Sequence, residues 1–270
     1  MASLTRQPAQ RRQVNLRSVA LPTEHGGWGF VLEPIVLGLL VAWSLPGAAV
    51  ALAMLGLFLL HQPLKLALKD NLKRRRVNRT AYAERFALLY GAISAAALLV
   101  ALLTAAPTFL IPLALALPLM LVRLARDARS QSRSLLAELG GAAALGATAA
   151  AIAVAGGWAL PAALTLWLLI AVRAVTSVIY VRQRLRLEHG TATGAGVAYQ
   201  AHAIGAAVVA AAVLAGAAPW LALAAYALLV ARAALGLSAR RAPTTAKKTG
   251  LREMAYGLLY ALIVGLGYIV

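Results

Sequence analysis

From residue 28 onward the chain falls into apolar runs of about 20 residues, broken at fairly regular intervals by turn formers or by clusters of charge. A run of that length is what a helix needs to cross the hydrocarbon layer of a bilayer. Reading the runs against the turn signals predicts helices over residues 28–44, 48–68, 82–105, 108–122, 134–155, 158–181, 196–216, 219–237 and 252–270. The fold class expected is therefore all-α, a polytopic bundle of about nine transmembrane helices. No soluble stretch is long enough for a second domain, so the expected organisation is a basic tail over 1–20 and one membrane domain over 21–270.

Two kinds of connection alternate along this pattern. Short uncharged turns, such as Ser44-Leu45-Pro46-Gly47 and Gly156-Gly157, are followed by longer polar segments crowded with Arg and Lys. All 26 Lys and Arg residues fall in the tail or in segments 65–85, 123–133, 173–186 and 232–252. These are every second connection, so the positive-inside rule predicts an inner-membrane protein with its amino terminus cytoplasmic and its carboxyl terminus outside. The eight carboxylates lie toward the same end, which the rule does not require. They point to a polar working surface facing the cytoplasm. The tail carries Arg6, Arg11, Arg12 and Arg17 without the apolar core and small-residue cleavage site of a signal peptide, so it is expected to persist.

Composition sharpens this picture. The chain is 62% hydrophobic and 13% charged, far from the usage of soluble domains. A net charge of +18 is explained by topogenesis and attraction to anionic lipids, which argues against a nucleic-acid partner. There is no cysteine, which excludes disulfides, thiolate metal sites and cysteine nucleophiles.

Three segments carry candidate chemistry. In LPTEHGGWGFVLEPIVLG, residues 21–38, Glu24 and His25 stand before a glycine pair and Glu33 lies within the first span. An intramembrane carboxylate is costly unless it faces a cavity or partner, which makes Glu33 a site candidate. Glu24 and His25 are candidate general acid and base. In HQPLKLALKD, residues 61–70, the residues His61, Lys65 and Lys69 form one helical stripe, followed by Asp70 and Asn71. Such a stripe suits a phosphate, and Asp70 a divalent cation. In AVRAVTSVIYVRQRLRLEHG, residues 171–190, Arg173, Ser177, Tyr180 and Arg184 share a face. Arg173 would sit roughly 12 Å inside the interface, too deep for a topology signal. His202 opens the next span at the same level. Together these residues predict a cytoplasm-facing cavity lined by the first, second, sixth and seventh spans.

These three segments resemble the YwiC-like family of bacterial membrane proteins. More distantly, nine helices with important loops after the second and sixth resemble the UbiA superfamily of membrane prenyltransferases. That likeness implies an isoprenyl diphosphate, with Mg²⁺ held by N-D-x-x-D-x-x-x-D and D-x-x-x-D patterns. Here the matching stretches read KLALKDNLKRRRVNR and SVIYVRQRLRLEHG, so only Asp70 and Asn71 remain in the first and arginines replace carboxylates in the second. The reading that follows is a membrane protein that recognises, and as an enzyme would modify, a lipid or isoprenoid with a phosphate or diphosphate headgroup. Two other classes stay open: a non-catalytic lipid-binding protein or transporter, and a haem or metal protein using the four histidines.

Overall fold

The computed structural model describes residues 15–22, 25–74, 77–129, 131, 134–191 and 194–270. Among them the secondary structure is entirely helical. A short helix α1 (Leu16–Ala20) precedes nine long ones: α2 (His25–Val41), α3 (Leu45–Leu72), α4 (Asn78–Thr104), α5 (Leu110–Ala128), α6 (Leu135–Ala155), α7 (Leu160–Glu188), α8 (Gly196–Leu214), α9 (Leu221–Leu237) and α10 (Ala246–Ile269). Six of these, α3 to α8, are long and apolar enough to cross a membrane, and α2 and α9 are shorter apolar helices. The chain is a multi-pass membrane protein. The expected all-α bundle is the observed fold.

Helix ends follow local chemistry. Ser44, Ser134 and Thr245 cap α3, α6 and α10, each side-chain oxygen accepting a backbone N–H three residues on. Gly157 and Gly216 close α6 and α8 with positive φ, 92° and 69°, and paired bonds run back from Gly157 and Trp158 and from Gly216 and Ala217. This left-handed closure favours glycine and turns the chain within a few residues. At the charged end, helices overrun the apolar pattern: α3 continues to Leu72 and α7 to Glu188, while α4 and α10 begin at Asn78 and Ala246. Lys, Arg and Gln are strong helix formers, so the helix continues where hydropathy stops.

Helix α6 is the hub, packed on α2, α3, α5 and α7. Its alanines and glycines are almost all buried, which lets neighbouring backbones come close. Helices α2 and α10 pack in parallel: Gly29 meets Met254, and Gly265 meets Leu40. The face of α10 turned to α2 holds Gly257, Ala261 and Gly265, all buried, one helical turn apart. The outside is lined by exposed leucines such as Leu88, Leu103 and Leu214, as expected where lipid is the solvent.

Candidate functional site

The site begins with two charges that the fold takes out of water. Glu33 on α2 and Arg173 on α7 are each 1% exposed, and Arg173 Nη1 lies 2.8 Å from Glu33 Oε2. Arg173 Nη2 donates to the backbone carbonyl of Glu253 on α10 at 2.6 Å, and the guanidinium lies 5.9 Å from the Phe30 ring centre. Neither charge would be stable alone in a bilayer, and pairing is what makes their burial tolerable. The pair has room because residue 257 is glycine. A Cβ there would run into Glu33 Oε1 and Arg173 Nη2.

The polar network continues toward the charged end through Glu253, itself buried. Ser177 Oγ, one turn along α7 from Arg173, donates to Glu253 Oε2, and Arg232 Nη2 on α9 lies 3.4 Å from the same oxygen. Arg232 is 5% exposed, and its guanidinium stacks over the Tyr180 ring at 4.0 Å. None of its three nitrogens makes a hydrogen bond. A buried guanidinium with no hydrogen bond lacks donors' partners that the interior normally supplies.

Arg232 faces a cavity of about 570 Å³ formed by α7, α9, α10 and the segment joining the last two. Five arginines line it, Arg184, Arg232, Arg240, Arg241 and Arg252, against the single carboxylate Glu253. The joining segment is tied to α7. Arg184 Nη1 pairs with Glu188 Oε1 at 2.6 Å and its Nη2 donates to the Ala242 carbonyl, while the Thr244 N–H donates to Glu188 Oε2 at 3.2 Å. Gly236 leaves space for the Tyr180 hydroxyl, which a Cβ would strike. The arrangement can hold a multiply charged anion, because planar guanidinium groups donate in the geometry that phosphate oxygens accept.

Of the residues singled out in the sequence, Glu33, Arg173, Ser177, Tyr180 and Arg184 come together here. His202 is buried behind Tyr180, its ring centre 6.5 Å away and its Nδ1 2.8 Å from the Ala198 carbonyl. His61, Lys65 and Lys69 lie elsewhere, exposed along α3, with His61 Nε2 3.8 Å from Asp127 Oδ2 on α5. Asp70 is engaged by Arg79, whose Nε and Nη2 donate to its two oxygens at 3.1 and 2.8 Å, and by the Thr80 hydroxyl at 3.0 Å. Asn71 Nδ2 donates to Glu84 Oε1 at 3.1 Å. Glu24 lies outside the described residues, and His25 is described only as the first residue of α2. The cavity wall thus differs from expectation: α9 and α10 take the places assigned to the first two spans and the seventh. Among the described residues no cluster of three or more His, Asp or Glu could hold a metal ion.

Sequence reasoning missed Arg232, Glu253 and the Arg240, Arg241 and Arg252 rim. The signal was present for Arg232, which interrupts LALAAYALLVARAALGL inside the predicted helix 219–237, but it counts with the inner-face cations of segment 232–252. Glu253 gives no comparable signal, since it stands at the edge of its apolar run.

No curated protein and no solved structure matches the chain. The matched family is described as YwiC-like protein, and its sequence model covers residues 21–153, which hold α2 to nearly all of α6 and include Glu33. Arg173, Arg232 and Glu253 lie beyond the matched stretch. Over those residues, about the first half of the chain, the protein is similar to the YwiC-like family.

Proposed function

We propose that the arginine-lined cavity receives the anionic headgroup of a membrane amphiphile, of the phosphate or diphosphate class, while the apolar part stays among the helices. The observation that carries this reading is Arg232: buried, facing the cavity, and without a hydrogen bond on any of its nitrogens. The rim supports it, with four further arginines around one carboxylate. The cavity opens at the Lys- and Arg-rich end of the bundle, which the positive-inside rule assigns to the cytoplasm. Direct recognition by arginine also suits a chain whose Asp70 is already held by Arg79 and Thr80, so the metal-bridged diphosphate contact of the UbiA pattern is replaced here by guanidinium groups.

The test is binding by the purified protein in detergent or nanodiscs, with a prenyl diphosphate and an anionic phospholipid as probes. Arg232→Gln is expected to weaken binding about 10- to 100-fold, the loss of charge-assisted hydrogen bonds worth roughly 1.5–3 kcal/mol. Lys73→Gln, at the exposed end of α3, is expected to change it little, since solvent and salt screen that charge. Equal loss from both variants would reduce the effect to diffuse surface attraction and remove the proposed site. Incubation of the bound probe followed by mass spectrometry separates a transferase from a binding protein or transporter.

A further inference from the structure

A cavity built to hold an anion already contains one. Glu253 lines it, is 6% exposed, and sits 3.4 Å from Arg232, a buried arginine of the cavity with no hydrogen bond on any of its nitrogens. Arg184, also buried in the cavity wall, is engaged by Glu188 and the Ala242 carbonyl, and Arg173, outside the wall, by Glu33 and the Glu253 carbonyl. An arriving headgroup and the Glu253 carboxylate therefore meet on the same guanidinium. We infer that Glu253 is the resident anion of this cavity, holding Arg232 until an anionic headgroup takes it, and that binding is accompanied by uptake of one proton on the Glu253 carboxyl. The inference rests on the headgroup reading above and adds its regulation, coupling of anion binding to protons.

The reason is electrostatic. Two negative charges a few ångströms apart in a poorly polarisable interior repel strongly, and such pairs resolve by protonating one member. The proton comes from water on the cavity side, converts the carboxylate to a carboxylic acid, and returns when the anion leaves. Ser177 holds the carboxyl from the α7 side, its hydroxyl donating to Glu253 Oε2. The charged and titratable groups around Glu253 are Glu33 from α2, Arg173, Tyr180 and Arg184 from α7, Arg232 from α9, and Arg252 and Tyr256 from its own helix. Of these, Glu33 is paired with Arg173, so Glu253 is the carboxyl that a ligand on Arg232 approaches directly.

Linkage fixes the sign. If the bound state carries the extra proton, affinity is highest at low pH and falls by up to about tenfold per pH unit as pH rises through the window in which Glu253 changes state. The experiment uses the full chain with two probes that keep their charge between about pH 5 and 9: inorganic sulfate, a free anion, and phosphatidylglycerol in nanodiscs, a lipid headgroup. Binding is followed by calorimetry in buffers of different ionisation enthalpy, which counts protons directly. The expected result is one proton taken up per anion and an affinity that falls with pH in the wild type. In Glu253→Gln the affinity becomes independent of pH and exceeds that of the wild type at high pH. Ser177→Ala, which keeps the carboxyl, is expected to keep the one-proton uptake, so the inference stays testable even where Glu253→Gln fails to fold, and loss of that uptake in Ser177→Ala overturns it. The sulfate arm behaving like the lipid arm assigns the site to the headgroup charge, and coupling seen with the lipid alone assigns it to an intact amphiphile. Binding that depends on Arg232 but has one affinity at every pH overturns the inference and leaves the headgroup reading standing. A pH slope that survives in Glu253→Gln and vanishes in His202→Ala also overturns it. Failure of both probes to bind the wild type removes the headgroup reading and the inference with it.

Discussion

Arg173 joins three helices from one side chain, with Nη1 on Glu33 of α2 and Nη2 on the Glu253 carbonyl of α10. Removing one member of a buried pair leaves the other uncompensated, at a cost of about 3–5 kcal/mol, whereas replacing both by apolar residues of similar size is often neutral. Glu33→Leu is therefore expected to lower thermal stability in detergent sharply, and Glu33→Leu with Arg173→Met to recover most of the loss. A double variant as unstable as the sum of the singles would show that the pair does not act as a unit. Gly257→Ala is expected to cost about 1–3 kcal/mol by overpacking, because its methyl group falls on the same ion pair. What was legible at this scale followed from cost: Glu33 and Arg173 stand out because a charge inside an apolar run needs a reason. Arg232 has the same signature but stands near the end of its predicted helix, where it reads together with the cations that begin at Arg240. The partnership of residues 33, 173 and 253 has no local signature at all, because it joins positions far apart in sequence.

The ends of α3 and α4 show why His61, Lys65 and Lys69 lie apart from Arg173. Hydropathy marks where lipid stops, while the helix of α3 runs on to Leu72, so its last turns carry these side chains at the exposed surface. There Asp70 clamps the hairpin through Arg79 and Thr80. Asp70→Ala is expected to speed proteolysis at the α3–α4 connection, since both donors then lose their acceptor, while leaving sulfate binding unchanged. Loss of binding in that variant would return Asp70 to the site. For the same reason excess chelator is expected to leave headgroup binding intact. Strict Mg²⁺ dependence would instead restore the cation role that the UbiA likeness implies.

Over the whole molecule, the number and order of helices were readable because apolar length and turn chemistry agree at each step. Which helices become neighbours was not, since alanine and glycine are spread over nearly every span and mark no particular face. The polarity of the bundle leads to a topology that is easily tested in a chain without native cysteine. Cysteines placed at Gly47, Gly157 and Ala217 are expected to react with a membrane-impermeant reagent from outside. Those at Arg129 and Thr245 are expected to react only after permeabilisation, as is one at Arg75, which lies outside the described residues. External labelling at Thr245 would turn the cavity to the other face. The seam of Gly257, Ala261 and Gly265 against α2 has a consequence for biogenesis. Helix α10 leaves the ribosome after every other helix of this chain, yet it docks against the first long helix to be inserted. Until α10 is made, the face of α2 beside Glu33 therefore lacks the partner that covers it in the folded chain. Docking of α10 closes that groove, so a nascent chain not yet translated as far as α10 presents an open flank beside Glu33 to whatever monitors folding in the membrane.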